Sequence, residues 1–236
     1  LYTFGFNGYF DLLIGIKENI NNGKMNWCSF DENKSIHLSG NFYAAHKDIA
    51  FIPNDISINK NMIITGPNAS GKTTILKSVL LNVLFSQQFG CGYYQQCQLQ
   101  PFKYLWCYLN IPDTSGRDSL FQAEARRCKV IIDKLQEDKE STHFCIFDEI
   151  YSGTNPDEAI ISAKSFIDYL LKYNNTKFLL TTHYYKLTKQ FKNNSKLHNY
   201  HMITNKKENI INYTYKLKKG ISKVKGGIQV LTDLNY

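Results

Sequence analysis

In the stretch MIITGPNASGKTT, residues 62 to 74, a short apolar run breaks into Gly66 to Thr73 with the pattern GxxxxGKT. The helical period of Ile75, Leu76 and Val79 follows. Strand, loop and helix stand in the order that phosphate binding requires. Glycines let backbone amides wrap an anion, a lysine reaches the β and γ oxygens, and a hydroxyl faces magnesium. Gly66, Gly71, Lys72 and Thr73 supply these groups.

A second strand ending in an acid belongs beside such a loop, where it can meet the metal. HFCIFDEIYSGTN, residues 143 to 155, provides one: four apolar residues run into Asp148 and Glu149. Asp148 fits the metal position, and Glu149 fits a general base that polarises water. Asn155, Pro156 and Glu158 then read as an N-cap, a first-turn proline and a capping-box partner. TTHY at 181–184 follows the apolar run Lys177 to Leu180, at the kind of strand end where ligands collect in a parallel sheet. A lone histidine there is more often structural. Placed after the other two motifs, His183 reads as a contact to the γ-phosphate or the attacking water. In DTSGRDSLFQAEARR, Ser119 and Gln122 form another capping-box pair. That signal serves equally as a plain helix start or as a helix end donating to phosphate on another subunit.

Positioning these residues takes alternating strands and helices. Extended stretches at 61–65, 103–109, 143–147 and 176–182, with helical periods between them, predict an α/β fold with a mainly parallel sheet. Strands near 197–204 and 209–217 predict a terminal hairpin, giving the sheet an antiparallel edge. Phe10, Leu13, Ile14 and Ile20 predict an earlier helix over 10–20, closed by Asn21 to Gly23. The aromatics Phe102, Tyr104, Trp106 and Tyr108 could stack bases on an open sheet. Leu105, Cys107 and Leu109 make the other face apolar too, which favours a strand buried on both sides. NKKE at 205–208 mimics a guanine-reading loop but carries Glu for Asp, and reads as a hairpin turn.

With 236 residues the chain can bury about 70% of its unfolded surface. No apolar run approaches the roughly 18 residues that cross a bilayer, so no membrane partner is expected. The net charge of +8 is compatible with nucleic acid. It fits equally the lysine-, asparagine- and isoleucine-rich usage of an AT-rich coding sequence, in which Arg117, Arg126 and Arg127 are the only arginines. Cys28, Cys91, Cys97, Cys107, Cys128 and Cys145 include no CxxC pair and read as free thiols of a reducing, intracellular compartment, cytoplasm or nucleus. The chain opens at Leu1 without a leader and is read as a segment of something longer.

FIPND at 51–55, TGPNASGKTT at 65–74, SLFQAE at 119–124, FDEIYSGT at 147–154, TTHY at 181–184, and YKLKKG at 215–220 with GGIQV after it stand in one order. Over roughly residues 42 to 231 the chain resembles the ATPase domain, domain V, of the MutS family of DNA mismatch-repair proteins, a branch of the ABC-type ATPases. The resemblance implies a P-loop ABC-type ATPase fold over residues 36–236 without the family's C-terminal helices. Residues 1–35 would be the end of a preceding lever or connector, a helix plus the start of a sheet. It implies Mg2+-dependent ATP hydrolysis, with ATP bound by Gly66, Pro67, Asn68, Ala69, Ser70, Gly71, Lys72, Thr73 and Thr74. Phe51 and Tyr215 would lie against adenine, Thr73 and Asp148 on the metal, Glu149 and His183 at the reacting water, and Ser119 would act in trans. Two such domains, identical or not, would sandwich two ATPs, and DNA would be held by domains outside this segment.

The chain departs from the family at several points. Leu120 replaces a Thr of the signature. Tyr151 and Ser152 replace Gly and Arg, the Arg-His-Pro upstream of the loop is replaced around Asn41 to Tyr43, and Gly226 replaces a late aromatic. These mark a divergent branch of the kind found in large DNA viruses. Alternatives are a family member acting on branched or recombining DNA, and a nucleotide-gated clamp that does not hydrolyse, against which Glu149 argues. SLFQAE is not the LSGGQ of membrane transporters.

Overall fold

The computed structural model describes residues 2–31, 35–45, 51–109, 119–207 and 210–221. Arg117 and the DTSGRD segment, Glu208 of NKKE, and GGIQV with Gly226 lie outside them. The chain begins with α1 (Tyr2–Asn21), β1 (Asn26–Phe30), β2 (Ile36–Asn41), β3 (Asn54–Ser57), β4 (Asn61–Thr65) and α2 (Lys72–Phe89). It continues through β5 (Cys91–Gly92), β6 (Gln96–Leu99), β7 (Tyr104–Tyr108), α3 (Leu120–Glu137), β8 (His143–Asp148) and α4 (Pro156–Leu170). It closes with β9 (Thr176–Thr182), α5 (Tyr185–Gln190), β10 (Leu197–Lys207) and β11 (Ile210–Lys219). The fold is α/β, with two sheets among the described residues and flanking helices.

Two compact units are present. One comprises residues 1–57 and 78–100, the other residues 58–77 and 101–236, and the division falls inside α2. The expected cut at 35/36 falls within the first unit, between β1 and β2. That unit holds a mixed five-stranded sheet in the order β3-β2-β6-β1-β5, with only β1 and β6 parallel. Its helix α1 is longer than expected because its first turns present Tyr2, Phe4 and Phe6 outward, so no buried stripe marks its start.

The second unit holds a six-stranded sheet in the order β11-β10-β4-β9-β8-β7. All neighbours are parallel except β10 and β11, which gives the expected antiparallel edge. Asn205, Lys206 and Lys207 of NKKE lie in β10, in register with β11. β4 is buried throughout and β8 up to Asp148, as parallel strands covered on both faces must be. Below them Phe147 meets Phe166 edge-on at 5.2 Å, and Ala159, Ala163, Ile167 and Leu170 of α4 fill the rest.

The doubly buried strand expected near 103–109 is not found. Among the described residues β7 is the edge of the sheet, Cys107 is exposed, and Tyr104, Leu105 and Trp106 are half-buried. Two apolar faces do not bury a strand that has a neighbour on one side only. Tyr104 and Trp106 stack with His143 instead, and Arg127 donates to the open Cys107 carbonyl at 2.9 Å.

Candidate functional site

The parallel register brings three strand ends together: Thr65 of β4 is paired with Thr182 of β9, and Asp148 of β8 with Thr181. Backbone leaving a parallel sheet at these points forms the rim where ligands bind. The GPNASG loop leaves β4 here and enters α2 at Lys72. Ala69 and Gly71 take positive φ of 61° and 95°, which folds the loop back on itself. A β-carbon at Gly66 would come within 2.6 Å of Ser70 Oγ and 3.1 Å of Met202, so glycine is required for the close return. Ser70 is buried and among the described residues its hydroxyl has no hydrogen-bond partner, the kind of unsatisfied donor that a phosphate oxygen would fill.

At Gly71 a β-carbon would lie 3.1 Å from the Tyr215 ring. Gly71→Ala should therefore lower stability by about 1–2 kcal/mol from the left-handed backbone alone. Thermal unfolding of Gly71→Ala and of Gly71→Ala/Tyr215→Ala checks this, since removing the ring should recover only the crowding part. Full recovery in the double variant would show that φ contributes nothing.

Lys72 is 5% exposed, and its ammonium donates to the carbonyls of Gly66 and Pro67, each at 3.0 Å. Its third partner is Glu149 Oε1 at 3.1 Å. Thr73 Oγ1 donates to Asp148 Oδ2 at 2.8 Å, and Asp148 Oδ1 accepts from the Thr181 hydroxyl. The Glu149 amide in turn donates to Thr181 O at 3.1 Å and Oγ1 at 3.2 Å. Thr181 thus holds both acids in place, a role that reading TTHY for its histidine missed. Glu149 carries a positive φ of 47°, a conformation costly for a side chain with a β-carbon and retained here by those contacts.

His183 Nδ1 lies 3.5 Å from Glu149 Oε2. That contact, with the Lys72 charge beyond it, holds the Glu149 carboxyl at about 2 against the opposing effect of burial. Its ordinary value is 4.5, so the folded state binds this proton less readily than the unfolded chain. The resulting stability is complete above pH 4.5 and is lost as pH falls toward 2. Melting temperatures of wild type and Glu149→Gln, compared from pH 6 to pH 3, should converge on acidification. A gap independent of pH contradicts the assignment.

Ser119 caps α3 in a reciprocal box with Gln122. Asn155 caps α4 by accepting from the Glu158 amide at 3.0 Å, but the Glu158 carboxylate takes the Thr154 hydroxyl rather than completing the expected box. Asn68 is exposed at the loop tip, and Thr74 is in the first turn of α2. Phe51 belongs to the first unit, 54% exposed and stacked on Phe42 at 4.0 Å. Tyr151 and Leu120, where the chain departs from the family, make local packing: Tyr151 lies 5.5 Å from Phe121, and Leu120 fills the space against Gly153. Glu124 is buried in α3. Burial raises its carboxyl, against the pull of the Tyr108 hydroxyl and the backbone amides of Gly153, Ser152 and Tyr151. It ties α3 to the turn after the acids, and an acid on the inner face of an amphipathic helix was the signal for it.

Among the described residues no cluster of three or more metal-ligating side chains occurs, and no helix is long and apolar enough to cross a membrane. Residues 62–235 match the family model MutS domain V. A DNA mismatch repair protein MutS of Staphylococcus haemolyticus (strain JCSC1435) is 28% identical over 213 residues, covering 85% of this chain and 23% of its own length. The protein of the same name from Staphylococcus aureus (strain JH9) is 29% identical over 220 residues, with 87% and 24% covered. The chain thus spans about a quarter of the length of these relatives. Since the family model covers most of the chain, with the loop from Gly66 to Thr74, both acids and His183 inside it, the chain belongs to the MutS domain V family.

Proposed function

We propose that this chain is the P-loop, ABC-type ATPase module of a MutS-like mismatch-repair protein, acting inside the cell and in a divergent branch of its family. The observation that carries this reading is the convergence of Lys72, Thr73, Asp148 and Glu149 at adjoining strand ends, joined through contacts of 2.8 and 3.1 Å. ATP is the substrate, with its phosphates in the loop from Gly66 to Thr74.

The Thr73 hydroxyl and Asp148 carboxylate are hard oxygen donors brought together, a pair suited to Mg2+, which takes few protein ligands and completes its shell with phosphate and water. When bound, the metal supplies charge neutralisation to the β- and γ-phosphates. Lys72 now rests on two carbonyls and Glu149. A phosphate oxygen replaces that last partner, and the loss of the cation's pull raises Glu149 toward the range of a useful base. Glu149 then accepts a proton from water as the water oxygen bonds the γ-phosphorus, and the bond from that phosphorus to the β-bridging oxygen breaks to give ADP and phosphate. His183 orients Glu149 through the 3.5 Å contact.

Tyr215, packed against Gly71, serves as an aromatic face for adenine. Ser119 and the amides of α3 donate to the γ-phosphate held by a second subunit, so that ATP closes a dimer and moves DNA-binding regions outside this segment. Sedimentation of Glu149→Gln tests this. A doubling of mass on adding ATP and Mg2+, lost in Glu149→Gln/Ser119→Ala, is expected. A protein that binds ATP yet stays monomeric contradicts the sandwich.

A further inference from the structure

In the first unit, β1 and β6 run parallel with Cys28 directly opposite Cys97. Paired strands lie about 4.8 Å apart, inside the Cα separation of about 4.4–6.8 Å that a disulfide spans. The two sulfurs are 3.4 Å apart, so a side-chain rotation without strand movement suffices to join them.

The two thiols are unequal. Cys28 is half-buried and Cys97 is buried. The hydrogen-bonded contact with Cys97 lowers the Cys28 thiol to about 7 in spite of burial, while the same contact and deeper burial push Cys97 up. Behind them the Ser86 hydroxyl lies 3.8 Å from the Cys97 sulfur and 2.9 Å from the Tyr94 hydroxyl, closing the inner side with polar groups. A reachable, readily ionised thiol backed by a buried one is the arrangement of an attacking and a resolving cysteine.

We propose that Cys28 and Cys97 form a reversible dithiol–disulfide site that exchanges with small-molecule disulfides. The Cys28 thiolate attacks one sulfur of the small disulfide, whose S–S bond breaks; one thiolate leaves and the other half stays on Cys28. Cys97 then gives up its proton to the departed thiolate and its sulfur attacks that of Cys28, expelling the second half. The protein loses two electrons and two protons overall, and the small disulfide becomes two thiols. In a reducing compartment such a bond is transient and reports oxidant exposure.

The test treats the folded chain with oxidised glutathione, blocks remaining thiols with an alkylating agent, and maps the cysteines by peptide mass spectrometry. Free thiols should fall from six to four, with Cys28 linked to Cys97 and no glutathione retained, and dithiothreitol should restore all six. Cys97→Ser should trap glutathione on Cys28, and Cys28→Ser should leave Cys97 unmodified. Glutathione left on Cys28 of the wild type, a different linked pair, or no thiol loss would each overturn the proposal. If a variant fails to fold, the wild-type map alone decides between these outcomes.

Discussion

Replacing Lys72 with alanine should lower kcat/KM for ATP at least about a hundredfold, the scale of losing one preorganised charge donor at a reacting oxyanion. The side chain is buried, and its ammonium already sits among carbonyl oxygens of the loop that would receive the phosphates. Alanine removes the cation and with it the donation from Lys72 to the Glu149 carboxylate and to the Gly66 and Pro67 carbonyls, so affinity should fall together with turnover. Equilibrium binding of a fluorescent ATP analogue separates the two effects, and circular dichroism confirms that the variant is folded. Wild-type affinity in a folded Lys72→Ala protein would mean that the loop does not hold the phosphates.

Glu149→Gln should behave differently. Glutamine keeps the size and can still meet Lys72 through its carbonyl oxygen, but it cannot take a proton, so phosphate release should fall by roughly a hundred- to ten-thousandfold. Binding of ATP should survive within a few-fold, because the groups assigned to phosphate are untouched. Single-turnover release of labelled phosphate measures the step directly. Turnover at the wild-type rate would remove Glu149 from the chemistry and leave His183 as the base to examine.

The second sheet, and the strand ends that carry its candidate site, were legible for a physical reason. Strands covered on both faces read as unbroken apolar runs, so Met62 to Ile64, Phe144 to Phe147 and Phe178 to Leu180 announce themselves, and the residues that end them stand out. The first sheet was not. β5 has two residues, β6 alternates exposed glutamines with Cys97 and Leu99, and β1 turns Trp27 and Phe30 outward, so neither a run nor a clean period appears. β7 reads as an inner strand because hydrophobicity shows what a face can bury, while edge position depends on where other strands go. Contacts between distant positions escaped for the same reason: nothing local at Lys72 shows that Glu149 will meet it, and nothing at Cys28 points to Cys97.

If this chain binds ATP and hydrolyses it through Glu149, substrate binding and turnover must separate when that carboxylate is lost. The most direct measurement follows ATP binding and phosphate release side by side for wild type and Glu149→Gln, each with Mg2+ and with excess chelator. Both proteins should bind ATP, and only the wild type should release phosphate, and only with Mg2+. Equal release by the two proteins, or ATP binding by neither, would contradict it.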